Sequence, residues 1–133
     1  MEKDNSNKIL NFIKHKILRI PIKYKDPKTG MVYIVAESEM DKYLNKGTTY
    51  WGKKKYTKAI EMIRKGIELD KEDYLGYWYL GQIYHEMGDL KAAEAEYSTA
   101  LKNAEARRKQ HPKLMEPEII KGIKKDMKRL KEG

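Results

Sequence analysis

Apolar residues recur along this chain at two different periods. Over residues 7–20, Ile9, Leu10, Ile13, Ile17 and Ile20 fall at helical spacing, with Lys8, Lys14, Lys16 and Arg19 among them. That pattern predicts an amphipathic helix, capped at its start by Ser6 or Asn7. A basic amphipathic helix can lie on a membrane, but packing against the rest of the domain is the expected use. Pro21 ends the helix and the period changes to two: Ile20, Ile22 and Tyr24 alternate with Lys23 and Lys25. Asp26-Pro27-Lys28-Thr29-Gly30 has the chemistry of a turn, and Met31-Val32-Tyr33-Ile34-Val35 is rich in strand formers. A β-hairpin over residues 20–35 is expected, with an exposed edge able to receive an extended peptide by strand addition.

From Ser38 onward the period is helical throughout. Ser38-Glu39-Met40-Asp41 has the form of a capping box, and helices are expected over 39–52 and 55–69. Tyr56, Ala59, Ile60, Ile63 and Ile67 share one face of the second. Asp70-x-x-Asp73 opens a third helix that runs to Met87, and Gly88-Asp89 turns the chain into a fourth. His111-Pro112 and Pro117 interrupt the pattern. A last helix over about 116–131 aligns Ile119, Ile120, Ile123, Met127 and Leu130 against a lysine-rich face.

The helical part repeats itself. Tyr43, Gly47, Tyr50 and Ala59 recur as Tyr77, Gly81, Tyr84 and Ala93, each 34 residues on. Ile63 with Tyr97, Gly66 with Ala100 and Ile67 with Leu101 keep the same offset. Small residues at 47, 81, 59 and 93 let neighbouring helices approach, while the aromatics fill the space beside them. Tyr77-x-x-Leu80-Gly81-x-x-Tyr84 followed by Ala93-x-x-x-Tyr97 resembles the tetratricopeptide repeat, with tyrosines at the tryptophan and phenylalanine places. Tyr43-x-x-Lys46-Gly47-x-x-Tyr50 with Ala59-x-x-x-Ile63 is a weaker copy, because Lys46 replaces leucine. Lys71 and Glu105 stand where the family's closing proline belongs. Two repeats, at about 40–73 and 74–107, follow from the resemblance.

The fold class expected is therefore mainly α: an α-α superhelix of two helix-turn-helix repeats, with an N-terminal helix and hairpin. Two units bury little surface, since stacked arrays need about three. Residues 116–131 are expected to cap the second repeat, as the family's capping helix does. Residues 1–37 form an extension that covers the other end or docks a partner, and 38–133 the helical domain. An end left uncovered would drive self-association.

Composition narrows the setting and the chemistry. The 133 residues suit one domain, with 40% hydrophobic and 37% charged positions. There are no cysteines, so disulfides, thiolate metal sites and cysteine nucleophiles are all excluded. No apolar run is long enough to span a bilayer, and the first residues lack the form of a signal peptide. A soluble cytoplasmic protein is expected. The net charge of +9 is banded: +2 over residues 1–41, +7 over 42–67, −6 over 68–100 and +6 over 101–133. Neighbouring bands of opposite sign neutralise one another within about 8–10 Å, so the charge is first of all a solvated surface.

Catalysis finds no support: His15, His85 and His111 lack metal-ligand spacing, and phosphate loops and nucleophile elbows are missing. No catalytic residue, metal or cofactor is expected. The resemblance instead implies a concave groove lined by the first helix of each repeat. Matched positions place Leu44, Thr48, Trp51, Leu75, Trp78, Gln82 and His85 there. Tryptophans in a groove offer rigid anchors for a partner; the alternative is that Trp51 and Trp78 pack against the hairpin or the capping helix. Leu44, Thr48 and Tyr79 occupy places where the family's carboxylate clamp uses lysines and asparagines, which disfavours that specialised role. Lys53, Lys54, Lys55 and Lys58 flank the first repeat, and Arg107 and Arg108 follow the second. The expected function is a protein-binding adaptor or scaffold that takes a partner segment, acidic if the flanks contribute. The second reading is an RNA- or DNA-binding protein that uses its basic surface.

Overall fold

The computed structural model describes residues 23–34, 38–113, 115 and 117–132. The helix expected over 7–20 and the ends of the 20–35 hairpin lie outside these residues. Within 23–34, strands β1 (Lys23–Lys25) and β2 (Val32–Ile34) pair antiparallel, with Tyr24 opposite Tyr33. The Asp26 carboxylate accepts the Lys28 amide at 2.8 Å, and Gly30 takes φ +71° to close the turn.

Five helices account for the remainder: α1 (Glu39–Gly52), α2 (Tyr56–Leu69), α3 (Leu75–Glu86), α4 (Leu90–Gln110) and α5 (Pro117–Glu132). Helices α1 and α4 start at short polar side chains that accept otherwise unpaired first-turn amides. Ser38 Oγ accepts from Asp41 N at 3.1 Å, and Asp89 Oδ1 from Ala92 N at 3.1 Å. The third helix opens later than the Asp70-x-x-Asp73 pattern suggests. Asp70 Oδ1 accepts the Glu72 amide and Asp73 Oδ1 the Leu75 amide, and these local bonds hold residues 70–73 as a turn before the helix begins.

The turns inside the two helical pairs are copies of each other. Lys54 N donates to Trp51 O and Lys55 N to Tyr50 O; 34 residues on, Gly88 N donates to His85 O and Asp89 N to Tyr84 O. Gly88 has φ +83° and Lys54 φ +62°, so both close a helix in the left-handed region. Lysine bears there a strain that glycine avoids.

Packing follows the small residues. A Cβ on Gly47 would collide with Ile63, and one on Gly81 with the Tyr97 ring. Ala59 and Ala93 are fully buried. The α1–α2 and α3–α4 pairs thus close by the same device at equivalent positions. One apolar cluster, including Met40, Leu44, Ile63 and Ile83, spans the two pairs. A second joins Tyr74, Ala104, Met115 and Ile123, where α5 covers the end of α3 and α4. Polar ties reinforce the stack. Asn103 Nδ2 donates to the carbonyls of Lys71 and Asp73, both at 3.0 Å, and pins α4 to the α2–α3 connection. Arg64 of α2 donates to Glu96 of α4 at 2.7 Å and to the Tyr84 hydroxyl of α3 at 3.4 Å. Burial disfavours its charge, but these hydrogen bonds outweigh it and raise its pKa above the ordinary guanidinium value.

Candidate protein-binding groove

Helices α1 and α3 are the first members of the two pairs, and they meet around Trp51. The Trp51 indole N–H donates to Glu86 Oε2 at 2.8 Å. Its ring meets Tyr79 edge-on, with centroids 6.2 Å apart. Lys54 Nζ lies 3.9 Å from the same Glu86 carboxylate across exposed surface. A partly exposed indole is thereby held by two groups of the neighbouring repeat. Thr48 is half-buried, and its hydroxyl donates back along its own helix to Asn45 O at 3.0 Å. His85 is half-buried as well. Neither makes a hydrogen bond to another candidate residue among those described.

Four of the expected groove residues serve the chain itself, and of these Leu75 is half-buried and packs against both apolar clusters. Leu44 is 2% exposed and belongs to the core between the pairs, because Gly66 and Gly76 bring α2 and α3 against it. It is corrected from groove wall to core residue. Trp78 and Gln82 face α5. The Trp78 indole donates to Asp126 Oδ2 at 2.8 Å, and Gln82 Nε2 donates to the same oxygen at 3.2 Å. Gly122 lets the Trp78 ring lie against α5, since a Cβ there would sit 3.0 Å from the ring. Of the two alternatives for the tryptophans, the capping helix takes Trp78, while Trp51 packs on α3.

The basic flanks divide in the same way. Lys53, Lys54 and Lys55 are exposed around the α1–α2 turn, and Lys58 stands over the Tyr50 ring, 5.7 Å from its centroid. Arg107 does not belong with them. It pairs with Asp70 at 3.3 Å, and their side chains are only 13% and 20% exposed, so it fastens α4 to the end of α2. Arg108 is half-buried.

Glu86 and Asp126 are the partners of the tryptophans that sequence reasoning missed, while Tyr79 was read only as a departure from the carboxylate clamp. Glu86 is 35 positions from Trp51 and adjacent to His85, and adjacent helical residues point in different directions, so its approach to the indole had no local signal. Asp126 had a weak signal: it is the lone acid between Lys121 and Lys131, with Glu118 and Glu132 near the two ends of the last helix. Among the described residues no group of three or more histidines and acids is disposed to hold a metal ion. No described helix is long and apolar enough to cross a membrane.

Comparison with known proteins agrees with this geometry. The tetratricopeptide repeat family matches residues 43–73 and 76–107. Over 56 residues the chain is 36% identical to protein bimA of Emericella nidulans, a stretch covering 42% of this chain and 7% of that protein. The chain thus spans only a small part of this curated relative's length. The solution structure of protein BPP2914 from Bordetella parapertussis superposes with a TM-score of 0.59 at 20% identity, covering 71% of this chain and 76% of that one. At that identity the likeness concerns the fold alone. The helical pairs α1–α2 and α3–α4 are two tetratricopeptide repeats.

Proposed function

We propose that this chain is a non-enzymatic cytoplasmic adaptor that receives a segment of another protein against Trp51. Tetratricopeptide repeats generally mediate protein–protein interaction, and the local geometry supports that use here. The observation that carries the reading is the Trp51 indole, partly exposed yet oriented by Tyr79 and Glu86. An aromatic anchor fixed before binding loses little side-chain entropy when a partner arrives. Thr48 and His85 add polar groups on the same expected wall. Trp78 and Gln82 contribute indirectly, by holding α5. The exposed Lys53, Lys54, Lys55 and Lys58 favour an acidic segment and speed its approach at low salt.

Peptides selected by display on the immobilised full chain provide the test. Trp51→Ala is expected to weaken the selected peptides by about tenfold or more, or ~1.4 kcal/mol, with the helical circular dichroism retained. Undiminished binding by that variant refutes the groove. A salt titration with RNA separates the rival class: a slope of several units in log K against log salt would mark nucleic-acid binding, whereas little or no RNA affinity is expected.

A further inference from the structure

Ile123 of α5 is fully buried, and Ile119, Ile120 and Met127 pack half-buried around it with Tyr74, Met115 and Leu101. Met127 and Leu130, half-buried, also join Leu90 and Leu101 of α4 as the floor of an open furrow of about 560 Å³. Leu90 is 41% exposed. The rim carries one sign of charge. Lys91 stands on the α4 side, and Lys124, Lys128 and Lys131 on the α5 side, against a single acid, Glu94. Of these lysines, Lys128 has an ion pair, a distant one of 3.9 Å with Glu132 across exposed surface.

We propose that this furrow binds an acidic amphipathic helix of a partner protein, at a site separate from Trp51. The furrow runs along Lys124–Lys131 of α5 and Leu90–Leu101 of α4, a span of about two to three helical turns at ~1.5 Å per residue. An apolar strip of that length between two helices takes a third helix through anchors at i, i+3 or i+4, and i+7. The lysine rim then selects Asp and Glu at the flanks of those anchors and repels a basic face. Two other occupants carry the wrong sign. The apolar positions of residues 7–20 are interspersed with Lys8, Lys14, Lys16 and Arg19, and a second copy of the furrow brings its own lysines.

The probe is a fluorescein-labelled helical peptide of about sixteen residues, with leucines on one face and glutamates beside them. It is titrated into the full chain at about 50 and 300 mM salt. Saturable binding is expected, weaker at the higher salt by several-fold. The double variant Lys124→Glu, Lys128→Glu, in which both exposed residues reverse charge, is expected to lose about tenfold in affinity, and Trp51→Ala to lose nothing. Amide shifts on binding should centre on Leu90, Leu101, Met127 and Leu130. Equal binding of the peptide with lysine for every glutamate overturns the proposal, as does the absence of saturation below about 1 mM. Shifts centred on Trp51 would move the peptide to the concave groove and also overturn it. Dimerisation of the chain alone, abolished by the charge reversals, would assign the furrow to a second copy instead.

Discussion

A methyl group added to either Gly47 or Gly81 would enter the side chain that closes the helical pair, Ile63 in the first and Tyr97 in the second. Helix propensity alone favours alanine over glycine by about 1 kcal/mol, so the close approach must outweigh it. Gly81→Ala is expected to lower stability by about 1–3 kcal/mol, as read from urea denaturation. The paired turns predict the opposite sign. Lys54→Gly, which places glycine where Gly88 stands in the second copy, should gain up to about 1 kcal/mol by removing left-handed strain. The Gly47–Gly81 match was legible as an offset of 34 residues, whereas the left-handed Lys54 at the place equivalent to Gly88 came only from the structure. What the sequence did not display is that Leu44 belongs with the core, because a leucine at a helical position faces a groove or a neighbour according to what packs across from it.

At the scale of the element, α5 is the informative case. Its amphipathic stripe was evident, while Pro117, read as an interruption, is its first residue. Its docking depends on one carboxylate, Asp126, whose side chain is 15% exposed and which accepts from both Trp78 and Gln82. Asp126→Ala leaves two part-buried donors without that acceptor, a loss expected to cost about 1–3 kcal/mol. Urea denaturation should show the lower midpoint, and the Trp78 emission should shift to the red as the helix loosens. An unchanged midpoint would mean that apolar contacts around Ile123 hold α5 without help. Nothing in the order of residues paired Asp126 with Trp78, 48 positions away; that pairing required α3 and α5 to be brought side by side.

For the whole molecule, the bands of charge resolve into ties between repeats and free rims. Arg64 and Arg107 bind acids of neighbouring helices, whereas the lysines of the α1–α2 turn and of α5 stay in water. Stability should also respond to alkali. Tyr97 is buried and its phenol pKa is raised, chiefly by desolvation and further by Asp126; burial raises Tyr77 similarly. A folded-state pKa above the unfolded value means that the unfolded chain releases its protons first. The stabilisation is therefore complete below pH about 10 and is lost as pH climbs toward the raised folded value. Melting temperatures are expected to be level from pH about 8 to 9 and to fall above about 10. Tyr97→Phe should lessen that fall without loss of stability at neutral pH, in keeping with phenylalanine at the resembling position.

The chain's order of residues determined the five helices, the Ser38 and Asp89 caps, the 34-residue repeat and the small residues that let paired helices touch. These depend on neighbours within a few positions, or on periodicity, and local chemistry suffices to set them. Tertiary structure alone decided which aromatic remained available. Trp51 and Trp78 look alike in sequence, but only Trp78 falls beneath α5, where the Asp126 carboxylate takes its N–H. Packing between distant segments assigns each face to core, cap or solvent, and that assignment has no local signature.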